Sequence, residues 1–191
     1  TDEIEYLWQG DEKYWIDKAP NIFPYIARLT GGSYTLDGKL YKMNIHGFVK
    51  TSKLQVTQQS SDKITFLLSA DDDTKKVYPY NFEYYIIYQL HGNELSITYK
   101  VKNLDSKIQY FGIGGHPGFN VPLDNSLDFA DYYLEFSKES KPMSVGVSKD
   151  RFILEKEEAF KLFNDKIIKL DHNLFDNDAI ILKDMDTKVT L

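Results

Sequence analysis

Between residues 82 and 102 apolar and polar side chains alternate with a period of two, and no other feature constrains the fold as strongly. Leu95, Ile97, Tyr99 and Val101 alternate with Ser96, Thr98, Lys100 and Lys102. One face is apolar and the other wet, as in a half-buried strand. Just upstream, Phe82, Tyr84, Ile86, Tyr88 and Leu90 alternate too, while Tyr85 and Ile87 fill the opposite side. That strand is expected to be covered on both faces. His91-Gly92-Asn93-Glu94 joins the two as a short hairpin loop.

The same signature recurs along the chain. Ile64, Phe66, Leu68 and Ala70 form a strand that runs into the acidic stretch Asp71-Asp72-Asp73, expected to be a solvated loop. Leu54 and Val56 start a shorter strand, with Ser60-Ser61-Asp62 turning between them. Tyr132, Leu134 and Phe136 form another, and Ala179 to Leu182 another. The one helical candidate is Glu157 to Phe163. Many short strands joined by short links predict an all-β fold, a large antiparallel β-sandwich, as a single domain over residues 1–191. Val189 and Leu191 alternate with Lys188 and Thr190, so the chain stops inside what reads as a strand. A terminal strand needs partners, and the sandwich is therefore expected to be incomplete at its C-terminus.

Composition narrows the function classes. Aromatic residues make up 15% of the chain, a load that suits pleated, half-buried surfaces. A net charge of −6 argues against a general nucleic-acid or anionic-membrane binder. No window resembles a membrane-spanning helix. Cysteine is absent, which excludes disulfide scaffolds, thiolate metal sites and cysteine nucleophiles, and suits a reducing compartment such as the cytoplasm.

The four histidines are the residues to weigh for chemistry. His116 follows Gly112, Gly114 and Gly115 and precedes Pro117 and Gly118. Glycines let a backbone approach a ligand or take positive φ, and proline fixes the exit. The local sequence leaves open whether His116 projects into a cleft or is incidental to a turn. His46, in Asn44-Ile45-His46-Gly47-Phe48, is a weaker candidate by itself. His91 reads as a loop residue and His172 as a cap. No histidine pair has metal-ligand spacing, and no nucleophile elbow, P-loop or dinucleotide fingerprint is present. Neither a metal nor a cofactor is expected.

Several segments, in order along nearly the whole chain, resemble the galactose mutarotase (aldose 1-epimerase) family, especially its shorter bacterial branch. They are Glu5-Tyr6-Leu7-Trp8-Gln9-Gly10; Ala19-Pro20-Asn21-Ile22-Phe23-Pro24 with Ala27-Arg28; Gly38-Lys39 through His46-Gly47-Phe48; Gly114-Gly115-His116-Pro117-Gly118-Phe119-Asn120; and Asn173-Leu174-Phe175-Asp176-Asn177-Asp178-Ala179. The resemblance implies a β-sandwich with a sugar cleft on one sheet. It implies His116 as general acid toward the ring oxygen, assisted by His46, with Arg28 and Asp178 gripping sugar hydroxyls. It implies a small-molecule partner of the galactose or glucose class, and leaves room for a homodimer.

The family's general base is a glutamate near its C-terminus, and residues 1–191 hold no counterpart. Lys50 stands where an arginine is common, and Ala27 replaces the usual glycine before Arg28. Two alternatives stay open on the same scaffold: a catalytically silent carbohydrate-binding relative, and a sugar-phosphate mutarotase. The second ranks last, since the chain's only arginines are Arg28 and Arg151.

Overall fold

The structure, a computed structural model, describes residues 4–176, 179–185 and the strand at 189–190. It divides into two compact units, Ala19–Pro117 and Thr1–Lys18 with Gly118–Leu191.

The first unit holds strands β1 (Asn21–Ile22), β2 (Ser33–Leu36), β3 (Lys39–Lys42), β4 (Gln55–Gln59), β5 (Lys63–Ser69), β6 (Phe82–His91), β7 (Glu94–Asn103) and β8 (Gly114–Gly115). Its main sheet is antiparallel in the order β4-β5-β6-β7. Hairpins β2–β3 and pair β1–β8 are also antiparallel. The long hairpin closes at His91↔Glu94, with Gly92 at φ 62° in its loop.

Strand alternation decides which side chains enter the core. Phe82, Tyr84 and Ile86 are buried, and Tyr85 and Ile87 are half-buried on the other face. On β7 the apolar face is covered only at one end: Tyr99 and Val101 pack on the core, whereas Leu95 and Ile97 are 55% and 45% exposed. The core is aromatic. Phe23 stacks on Tyr84 at 4.7 Å and meets Phe48 edge-on at 6.1 Å, and all these rings pack with Tyr78 and Phe82. Such contacts add roughly 0.5–1.5 kcal/mol each beyond area burial. The Tyr78 hydroxyl reaches a partner despite burial, donating to the Tyr110 carbonyl at 2.7 Å.

The acidic run is not a loop. Asp71 caps a helix, α1 (Asp72–Val77), accepting from the Thr74 N–H, while the Thr74 hydroxyl accepts from the Asp71 N–H. This reciprocal box satisfies amides that a helix start leaves unpaired. Those bonds hold the Asp71 carboxyl below the usual carboxylate range.

The second unit holds β9 (Tyr133–Phe136), β10 (Met143–Val147), β11 (Ile153–Ala159), β12 (Ile167–Lys169), β13 (Ile181–Lys183) and β14 (Val189–Thr190). They form two antiparallel sheets, β12-β9-β14 and β11-β10-β13. The expected helix at Glu157 to Phe163 is a correction. Glu157, Glu158 and Ala159 end β11, paired with Val145, Ser144 and Met143. Local helix formers lose there to cross-strand pairing; Glu157 also meets Lys183 of β13 in an ion pair. In the same unit Asn120 clamps the N-terminal segment, donating from Nδ2 to the carbonyls of Glu5 (2.8 Å) and Leu7 (3.0 Å). Among the described residues no helix is long and apolar enough to cross a membrane.

Candidate active site

The site is built on the main chain of residues 20–27. Proline restricts the backbone at positions 20 and 24; between them Asn21–Ile22 forms β1 and Phe23 bridges to Gly47, and beyond Pro24 the chain is irregular, turning at Ala27 with φ 62°. Its polar groups reach two different neighbours. On one side the Pro20 carbonyl accepts from the His116 N–H (3.0 Å), Asn21 and Ile22 pair with Gly115 and Gly114, and the Pro24 carbonyl accepts from the Gly112 N–H (2.6 Å). On the other side the Phe23 carbonyl accepts from the Phe48 N–H (3.0 Å), and the Ala27 carbonyl from the His46 N–H (3.0 Å). One eight-residue segment thereby ties the two histidine motifs together.

Glycine is required where the approach is closest. Gly47 has φ 77°, and a Cβ there would overlap the Phe23 carbonyl. No L side chain is accommodated. A Cβ on Gly115 would lie 2.9 Å from the Tyr99 hydroxyl. That hydroxyl donates to Asn21 Oδ1 (2.7 Å), while Asn21 Nδ2 donates to the Tyr88 hydroxyl (3.2 Å). Burial, reinforced by Tyr88, pushes the Tyr99 phenol upward, so it remains a neutral donor at ordinary pH. The Tyr88–Asn21–Tyr99 chain pins β1, and through it Gly115 and His116, onto β6 and β7.

This arrangement sets the His46 and His116 rings side by side, with centroids 5.2 Å apart and planes inclined by 56°. His46 is half-buried and His116 exposed. The His46 ring is fixed from behind: its Nδ1 accepts from the Ala27 N–H at 3.1 Å. Arg28 is exposed and follows Ala27 directly in the chain, which puts its backbone next to the group that holds His46. Asp178 lies outside the described residues. The structure therefore brings His46 and His116 together, and Arg28 reaches the neighbourhood through the backbone. The roles of Asn21 and Tyr99 escaped the sequence reading; Asn21 sits within a quoted motif, but nothing in the sequence links it to a tyrosine 78 residues away. Among the described residues no three His, Asp or Glu side chains gather as a metal site requires.

An antiparallel β fold carrying this histidine pair is of the galactose mutarotase-like sandwich class. The galactose mutarotase related enzyme of Lactobacillus acidophilus superposes with a TM-score of 0.89 at 34% identity, over 95% of this chain and 60% of that one. A galactose mutarotase-like protein of Lactobacillus casei superposes with a TM-score of 0.87 at 32% identity, over 95% and 62%. Protein LacX of Lactococcus lactis subsp. lactis is 32% identical over all of this chain and 66% of its own length. The chain thus spans slightly less than two thirds of these relatives. The family model for aldose 1-epimerase matches residues 1–191, and the chain belongs to the aldose 1-epimerase family.

Proposed function

We propose that the protein interconverts the α and β anomers of a free aldohexose, of the galactose or glucose class, by acid–base ring opening. A base takes the proton of the anomeric hydroxyl, the C1–O5 bond breaks as C1 becomes a carbonyl, and His116 delivers a proton to the ring oxygen. Rotation about C1–C2 and the reverse proton transfers close the ring on the other face. An imidazole gives up and regains a proton near neutral pH, which suits a reversible reaction. His46 hydrogen-bonds the same end of the sugar, and Arg28 and Asp178 hold its hydroxyls. No residue of 1–191 is assigned as the base. The observation that carries this reading is the 5.2 Å juxtaposition of the His46 and His116 rings, the second of them open to solvent.

Polarimetry of freshly dissolved α-galactose and α-glucose tests it. The expected result is relaxation faster than buffer, abolished in His116→Gln. Sugar binding with relaxation no faster than buffer would instead establish a catalytically silent carbohydrate-binding relative.

A further inference from the structure

Main-chain hydrogen bonds hold the backbone at both histidines, and at His46 a main-chain amide also meets the ring. His116 is fixed through its backbone: its N–H donates to the Pro20 carbonyl, and its neighbour Gly115 pairs with Asn21. His46 is fixed through its ring as well. The Ala27 N–H donates to His46 Nδ1 at 3.1 Å, while the His46 N–H returns a bond to the Ala27 carbonyl at 3.0 Å. A backbone amide can only donate, so the nitrogen it meets must present a lone pair. The neutral ring then carries its proton on Nε2. A second proton on Nδ1 would turn N–H toward N–H and break the bond to Ala27. Nor can a neutral imidazole usefully release its last proton, since that would leave an imidazolate.

The geometry points to Ala27 as a positioning residue whose amide locks His46 into the Nε2–H tautomer, making His46 a fixed hydrogen-bond donor rather than a group that shuttles protons. Of the two histidines, His116 is then the one that exchanges a proton with the substrate. This division of labour rests on the proposed mutarotase reading, but the tautomer itself does not. Ala27 is suited to the task because it sits at φ 62°, which turns both its N–H and its carbonyl onto the one residue. His46 matches it at φ 65°. The lock therefore uses main-chain atoms that no side-chain substitution at 27 removes, proline excepted.

Two-bond ¹H–¹⁵N correlation spectra of the uniformly labelled chain read the tautomer directly. His46 is assigned by through-bond correlation from its backbone, and independently as the ring system missing from His46→Gln. The expected pattern at pH 7.5 is an unprotonated Nδ1 and a protonated Nε2 for His46. A protonated Nδ1, a tautomer-averaged ring or an imidazolium at that pH would overturn the inference. Because the spectrum needs no turnover, a locked tautomer in a protein that does not accelerate mutarotation would sink the functional proposal and leave the lock standing. An active protein with an averaged His46 ring would do the reverse.

Discussion

Ala27 and His46 exchange two hydrogen bonds, one from each backbone amide, and both residues occupy the left-handed region at φ 62° and 65°. A short double clasp thus joins the irregular segment that carries Arg28 to the loop that carries a site histidine. Its strain is stored in the main chain of two non-glycine residues.

Ala27→Gly should therefore stabilise the protein. A left-handed alanine costs roughly 1–2 kcal/mol, and the extra freedom of glycine in the unfolded chain returns roughly 0.5–1 kcal/mol of that. A net gain of about 0.5–1 kcal/mol is expected in denaturant unfolding, with the His46 bonds intact. A loss of stability would show that the Ala27 methyl packs usefully.

Gly47→Ala should do the opposite. The added methyl meets the Phe23 carbonyl in a residue already at φ 77°. A loss of roughly 2–4 kcal/mol is expected, from strain and overpacking combined. Thermal melting checks it; an unchanged midpoint would mean that the loop and the 20–27 segment move apart without penalty.

The histidines should respond unequally to glutamine, whose amide can imitate an Nε2–H donor but cannot exchange a proton. In full-length protein with measurable mutarotation, His116→Gln should lose about 10²–10⁴-fold in kcat. His46→Gln should keep kcat within about tenfold of wild type, as expected for loss of hydrogen-bond geometry alone. Equal losses in the two variants would argue against the separate roles.

High pH should unfold the first unit. Burial pushes the phenols of Tyr78 and Tyr84 upward, and both rings are fully buried. In the unfolded chain a tyrosine ionises near pH 10. The folded state keeps those protons after the unfolded state has lost them, so their contribution is intact below about pH 10 and falls as pH rises beyond it. The slope is at most about 1.4 kcal/mol per pH unit for each such ring. Tyrosinate absorbance that rises in one step with loss of structure is expected; full ionisation of all the tyrosines in the native state would contradict it.

The β6–β7 hairpin was legible because its information is local: ten residues of period-two alternation on each side of Gly92. The strand at Ile153–Ala159 was not, because Glu155, Lys156, Glu157 and Glu158 carry no strand preference of their own and acquire their conformation from β10. The identities of His46 and His116 could be read from their glycine-flanked motifs. Their meeting was implied only by the family resemblance; the residues themselves do not show it, since it depends on the segment 20–27 serving both sides, through carbonyl and amide groups that every residue possesses. The departure at Ala27 was visible as a letter, and only the backbone angle shows what it costs.

Because the histidine pair is held by the main chain of 20–27, its geometry is portable in an unusual sense. Anyone grafting it onto another β-protein needs to reproduce a backbone trace, with carbonyls at positions equivalent to 20, 23, 24 and 27 and a left-handed kink at the last of them. The side chains between can be redesigned for the new host, apart from Asn21, Pro24 and the Phe23 ring anchored in the core. A scaffold search by backbone shape should find hosts that a search by residue identity would pass over.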